Sequence, residues 1–318
     1  MSIRRDTFLS VAAAAGAVTL FPSRPARAVG TVRIGVLPLD NTAEVLYARD
    51  LGMFAKAGLD VDIQIFRNGS ASAAAMAGGA TDLGSTDALS IAAAHSHGLP
   101  LTYIAPAAIF TRANPSFALM VPAGSPIASA KDCNGKTLAV SSAKGLVQIS
   151  TQTWIDNNGG DSKTIRFIEV PFAAMGEAMA SGAVHAASES EPFVTNLLDG
   201  GKFSVISIAD KNIAPEFMFS GWATTNDWAS ENAAIVQKLV GVFASVSKWA
   251  NMNRPLSAQI LMKASKMPGD VATRMNRSYY GGRLDASLLQ PVIDAAAKYG
   301  AIAKTFPATE VFSPAALH

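Results

Sequence analysis

Cys133 is the only cysteine in 318 residues. That excludes an internal disulfide and any metal cluster built on thiolates, and leaves Cys133 to be read as a small buried residue. Histidine is nearly as scarce, with only His95, His97, His185 and His318. His95 and His97 stand two apart on a predicted helix, so they face different sides and cannot chelate as an i,i+4 pair could; they read as a solvated helix end. A phosphate loop ending in Gly-Lys-Ser/Thr, a G-x-G-x-x-G fingerprint and a G-x-S-x-G elbow are all missing. The carboxylates Glu189 and Glu191 could act as acid and base, but no nucleophile or metal partner accompanies them. They read as charged residues at a strand-to-helix junction, where glutamate suits the helix dipole. A net charge of +2, with no basic cluster interleaved with aromatics, argues against a nucleic-acid partner. No catalytic residue, metal or cofactor is expected.

Apolar residues make up 49% of the chain, enough to build one large domain or two ordinary ones. Residues 1–28 read as an export signal rather than as part of the fold. Arg4-Arg5 supply positive charge, 8–21 is an apolar run, and Ala26-Arg27-Ala28 is an A-x-A cleavage site. The run is too short and too rich in alanine for a stable membrane span. Arg4 to Leu9 looks like a twin-arginine signal with one residue too many before the Phe-Leu pair, which leaves Sec and twin-arginine routing both open. The expected mature protein starts near Val29, after cleavage near Ala28, in the periplasm or otherwise outside the cytoplasm.

From there strands alternate with helices, the pattern of a mostly parallel α/β layer. Strands are predicted over 31–37, 59–66, 81–85, 101–105 and 117–121, and helices over 43–54, 71–77 and 88–97. Thr86-Asp87 can cap the last of these. A second series then begins: strands over 137–140, 165–170, 183–188 and 205–208, and helices over 146–157, 173–180 and 191–198. The two series look related. Met179-Ala180-Ser181-Gly182-Ala183 repeats Met76-Ala77-Gly78-Gly79-Ala80 with one change, at an offset of 103 residues that sets Ser188 on Ser85 and Glu189 on Thr86. A strand over 217–224 follows, then helices over 232–253, 256–264 and 288–299. Ser70, Ser72, Thr86, Asp87, Ser142 to Gly145, Phe172 to Met175 and Ser190-Glu191 all stand at predicted helix N-termini. Each alone reads as an ordinary cap; their recurrence in two related halves points to a cleft that closes on a small solute.

Residues 47–61, YARDLGMFAKAGLDV, look like the stretch A-x-x-x-G-x-F-x-x-x-G-L-x-V of periplasmic solute-binding proteins of ABC importers, in the family that binds nitrate, sulfonates, taurine and thiamine precursors. Residues 77–84, AGGATDLG, are similar to its A-x-G-x-x-D-x-G turn, and Glu191-Pro192 resembles its second-lobe acidic-Pro pair. The resemblance implies an α/β, two-lobed, type II-like periplasmic binding protein with a ligand cleft between the lobes and a C-terminal helical tail packed on the first lobe. Residues 29–112 would begin lobe 1, 113–216 would form lobe 2, and 217–318 would return to complete lobe 1. It implies ligand contacts from Pro38, Leu39 and Asn41, from Gly69 and Ser70, and from Thr86 and Asp87. The second lobe would add Ser141, Ser142, Lys144, Gly145 and Glu191, and Trp222 is a candidate wall for a flat or apolar group.

The implied function is a monomeric receptor that binds a solute and passes it unaltered to a membrane permease. A sensory ligand-binding protein is the alternative. An enzyme on the same fold, such as a pyrimidine synthase, is a weaker one, because those synthases carry a cysteine-rich segment with histidines. Around the expected site Asp40, Asp87, Glu189 and Glu191 oppose Arg67, Arg112 and Lys144. A bare inorganic anion would prefer fewer carboxylates. The expected solute is a small organic molecule with one anionic or carbonyl-like end: a sulfonate, an aromatic carboxylate or a pyrimidine-like compound.

Overall fold

Val32, Ile34 and Val36 are β-branched and favour an extended chain; all three are buried in the first strand, β1 (Val32–Val36). The computed structural model describes residues 30–66, 69–265 and 270–317; the expected export signal lies outside the described residues. A 3-10 turn (Asp40–Thr42) follows, then α1 (Glu44–Asp50), α2 (Met53–Lys56), β2 (Val61–Ile65), α3 (Gly69–Ala77), β3 (Leu83–Asp87), α4 (Ala88–Ser96), β4 (Leu101–Pro106) and β5 (Ala108–Thr111). One helix is expected over 43–54, and two are found. Gly52 adopts φ +65°, a left-handed conformation that interrupts the helical path between them.

The second series holds β6 (Phe117–Pro122), β7 (Thr137–Val140), α5 (Leu146–Asn157), β8 (Arg166–Glu169), α6 (Phe172–Ala180), β9 (Ala186–Ser190), α7 (Phe193–Asp199) and β10 (Phe203–Ser207). The strand expected over 217–224 is also two, β11 (Glu216–Met218) and β12 (Ser220–Thr225), which pair in different sheets. The chain ends with α8 (Asn226–Glu231), α9 (Ala233–Met252), α10 (Arg254–Ser265), α11 (Val271–Arg274), β13 (Tyr279–Tyr280) and α12 (Ala286–Lys298).

The two main sheets share a plan. The first runs β2-β1-β3-β12-β4, with β1 parallel to both neighbours and β12 antiparallel to β3 and β4. The second, read from the corresponding edge, runs β8-β7-β9-β6-β10, with β7 parallel to β8 and β9, and β6 antiparallel to its neighbours. The offset seen in the sequence recurs in the fold: α6 and β9 begin and end 103 residues after α3 and β3. Strands β11, β5 and β13 make a third, small antiparallel sheet.

Helices α9 and α12 pack against elements of the first sheet. Val236, Leu239, Phe243 and Val246 of α9 share a buried cluster with Ile34, Leu46 and Leu83; each such side chain contributes about 1.5–3 kcal/mol by leaving water. Leu289, Val292 and Ile293 of α12 join Leu89, Ile91 and Tyr103 of α4 and β4. Cys133 lies buried with Leu138, Trp154 and Ile155 on the second sheet, where burial lifts its thiol to about 11.

Candidate functional site

β1 and β3 are neighbours and run parallel, so the segments that leave them open side by side. They form one wall of a cleft. Leu37, Leu39, Asn41 and Thr42 come from the segment after β1, Ser85, Thr86 and Asp87 from the end of β3, and Phe219 and Ser220 from the approach to β12. The facing wall belongs to the second sheet. It comprises Phe117 at the start of β6, Ser141, Ser142 and Gly145 between β7 and α5, Leu146 and Val147 in the first turn of α5, and Phe172 at the start of α6. Phe117 and Phe219, one from each wall, stack with ring centroids 4.3 Å apart.

The backbone of the first wall is pinned while its side chains are left open. Thr42 Oγ1 donates to the Leu37 carbonyl at 2.7 Å, Ser220 Oγ to the Asn41 carbonyl at 2.9 Å, and Tyr103 OH to the Thr86 carbonyl at 3.2 Å. Asn41 Oδ1, Ser85 Oγ and Thr86 Oγ1 have no partner, although these residues are only 5%, 1% and 5% exposed. A buried polar atom without a bond costs about 1–3 kcal/mol, so a solute that reaches these atoms is favoured.

Two of the helix ends at the cleft, those of α4 and α5, differ. On α4, Asp87 Oδ1 accepts the N–H groups of Leu89 and Ser90 at 3.1 and 3.0 Å, and Oδ2 accepts the Ser90 hydroxyl at 2.6 Å. That end is satisfied by the chain's own carboxylate. On α5 the N-cap is Gly145, which offers no side chain. Its first-turn N–H groups remain available to an acceptor in the cleft.

Behind the first wall, Asp40 is fully buried. Its carboxylate accepts Arg277 Nε at 2.7 Å and the Ser278 N–H, and its carbonyl accepts the Tyr280 hydroxyl. Arg277 Nη2 also donates to Tyr47 OH at 2.8 Å and to Ser257 Oγ at 3.0 Å. The C-terminal part of the chain therefore clamps the residue next to Asn41. Among the described residues, no group of three His, Cys, Asp or Glu side chains gathers as a metal site, and no helix is long and apolar enough to cross a membrane.

Of the residues expected at the site, Leu39, Asn41, Thr86, Asp87, Ser141, Ser142 and Gly145 line the cleft. Gly69 and Ser70 open α3, but their surroundings lie outside the described residues, as does Arg67. The structure places four of the expected residues off this lining. Pro38 is half-buried and off the lining. Lys144 is exposed, with φ +56° and its N–H donating to Gln148 Oε1 at 2.8 Å, so its charged end stays in water. Glu191 is held by the Thr195 N–H and hydroxyl at 3.1 and 3.0 Å and by the Asn276 N–H at 3.2 Å, beside a different depression that contains Arg274. Burial raises its carboxyl to about 7, with the bonds from Thr195 and Asn276 pulling the other way. Trp222 is a core residue: it stacks on Phe243 at 4.8 Å and donates Nε1–H to Glu44 Oε2 at 3.0 Å.

Sequence reasoning missed Leu37, Thr42, Ser85, Phe117, Leu146, Val147, Phe172, Phe219 and Ser220. Ser85 and Thr42 adjoin expected residues, and Phe172 opens one of the helix N-termini already singled out. Phe117 and Phe219 carry no local signal, because only the passage of the chain between sheets brings them together.

The model of the NMT1/THI5-like family matches residues 40–255. No curated protein matches the chain in sequence. Among solved structures, the alkanesulfonate-binding protein SsuA from Xanthomonas axonopodis pv. citri, bound to MOPS, is 18% identical; the match covers 89% of this chain and 97% of that one, with a TM-score of 0.76. The periplasmic aliphatic sulphonate binding protein SsuA from Escherichia coli is 19% identical over 89% and 91% of the two chains, with a TM-score of 0.71. The periplasmic nitrate-binding protein NrtA from Synechocystis PCC 6803 is 14% identical over 90% and 86%, with a TM-score of 0.75. At these identities the likeness is one of fold, the two-lobed binding-protein architecture.

Proposed function

The chain belongs to the NMT1/THI5-like family, and on that basis we propose that it is an extracytoplasmic receptor of an ABC import system that closes two lobes on a small organic solute. The observation that carries this reading is the cleft between two sheets of the same plan, lined by three buried polar atoms without partners and by the uncapped start of α5. Groups of that kind suit reversible binding, because they gain bonds when the solute enters and are exposed again when it leaves.

The site comprises Leu39, Asn41, Thr86, Asp87, Ser141, Ser142 and Gly145, together with Ser85 and the Phe117, Phe172 and Phe219 rings. Lobe 1 is built from 29–112 and 217–318, and lobe 2 from 113–216. The membership of the two sheets supports this division, since β12 joins the first sheet and α9 and α12 pack against its elements. The chain crosses between the sheets ahead of β6 and again after β10, and those crossings serve as the hinge. Export by the Sec or the twin-arginine route, removal of residues 1–28 and transfer of the solute by a monomer to a membrane permease complete the reading.

The solute is an organic molecule with an acceptor end, of the sulfonate, aromatic carboxylate or pyrimidine-like kind, and it leaves unchanged. The solved relatives are binding proteins for sulfonates and nitrate, which supports a receptor over an enzyme. Native mass spectrometry of protein recovered from its host tests the proposal. The expected result is one small organic molecule retained per chain and released intact on unfolding. Release of a chemically converted product, or no retained or restorable solute at all, would sink it.

A further inference from the structure

Resting on the receptor reading above, the geometry points to a solute that bridges the cleft, with a hydrogen-bond donor at one end and an acceptor at the other on an apolar frame. The first wall is rich in acceptors. Asn41 lines the cleft, and its Oδ1, which can only accept, is buried without a partner. The Asp87 carboxylate beside it holds three donors and offers about four lone-pair sites, so room for another donor remains. The Ser85 and Thr86 hydroxyls, also unpartnered, serve in either sense.

The facing wall is rich in donors. Helix α5 runs for 12 residues and begins without a side-chain cap, with Leu146 and Val147 of its first turn in the lining. Its N–H groups can only donate, at the positive end of the helix dipole. Leu37, Leu39 and Phe219 of the first wall and Phe117 and Phe172 of the facing one suit an apolar frame.

A bare oxyanion can take bonds from α5 and from the Ser85 and Thr86 hydroxyls, but it brings no donor for the acceptors of the first wall. It leaves Asn41 Oδ1 without a bond and sets a second negative charge in a cleft that already holds Asp87. A solute with an N–H or O–H group and a carbonyl or carboxylate satisfies both walls at once, and its two ends tie the lobes together. The class comprises small amides and imides and hydroxy- or amino-substituted organic acids.

Calorimetric titration of the full chain with 4-aminobenzoate, benzoate, benzenesulfonate and aniline tests this, because the ring is constant and only the polar groups at its two ends change. 4-Aminobenzoate should bind about tenfold or more tighter than the other three, since a site built to bond both groups rejects an analogue lacking one. Asn41→Ala should weaken 4-aminobenzoate about tenfold and change benzoate little. Benzoate or benzenesulfonate binding as tightly as 4-aminobenzoate overturns the inference. So does an equal effect of Asn41→Ala across the series, and so does the failure of every member to bind. The retained solute judges the receptor reading separately: a solute with no N–H or O–H group removes the bridge and leaves the receptor standing, whereas no bound solute of any kind removes the receptor itself.

Discussion

Asp87 stands in the cleft wall, but its carboxylate is largely engaged by its own helix, with Leu89 N–H, Ser90 N–H and Ser90 hydroxyl as donors. Asp87→Ala should therefore cost about 0.5–2 kcal/mol of stability in urea denaturation, with Asp87→Asn retaining most of it, as expected for an N-cap. Unchanged stability in the alanine variant would argue that the carboxylate serves the solute alone. Asp40 and Arg277 carry more weight. Arg277→Met leaves a fully buried Asp40 carboxylate without its cation and should destabilise by about 3–5 kcal/mol, while Asp40→Asn combined with Arg277→Met should recover much of the loss. If the double variant fell as far as the single one, packing rather than charge would be the cause. Little of this was readable beforehand: Arg277 lies 237 residues from Asp40, and neither a helix period nor a turn motif connects them. Trp222 shows the same limit, since an aromatic on a strand reads alike whether it faces a cleft or, as here, Glu44 and Phe243 in the core.

At the scale of elements the sequence was far more informative, because alternating strands and helices follow from short-range patterning. The repeat alone aligns α6 and β9 with α3 and β3, and capping residue type alone sets Thr86 and Asp87 at a helix start. The two elements read as continuous and found divided, at Gly52 and at Phe219, turn on local backbone conformation in one case and on sheet partnership in the other. The close seat of α3 was also hidden. Gly35 and Gly84 face each other on β1 and β3, and a Cβ at Gly84 would lie 2.8 Å from the buried Ser72 Oγ. Gly84→Ala should push α3 from the sheet and cost about 1–3 kcal/mol, the usual penalty of overpacking. Gly84→Ala combined with Ser72→Gly should recover part of it, because the offending oxygen is gone. Equal urea midpoints for wild type and Gly84→Ala would show that α3 has room to spare.

Across the whole molecule, protonated carboxyls are distributed over both halves. Burial raises Glu44 in the first half to about 8, against the opposing hydrogen bonds from Ser247 and Trp222. In the second half burial raises Glu191 to about 7 and Asp210 to about 6, and lifts Glu189 well above the usual range. The folded chain thus binds protons that the unfolded chain releases. Below the ordinary carboxyl range of about 4 both states are protonated and this stability is fully present; it is lost as pH rises through the folded values. Each group contributes a slope of about 1.4 kcal/mol per pH unit between its unfolded and folded values. The exposed Asp132, Asp199 and Asp285 run the other way, because hydrogen bonds and neighbouring cations lower them; their contribution is lost only as pH falls through their folded values, below the ordinary range. The two windows do not overlap, so the buried set governs neutral pH. Tm should fall between about pH 5.5 and about pH 8, and Glu44→Gln and Glu191→Gln should each flatten that fall, the first more than the second. Glu191 accepts the Asn276 N–H of the C-terminal segment, and Arg274 of α11 grips Asp199 of α7 at 2.5 and 2.6 Å, so the halves are coupled. Both variants should then act on one shared unfolding transition. A Tm that stayed level over this range, or a Glu44→Gln variant as steep as wild type, would mean that these carboxyls are already ionised in the folded chain.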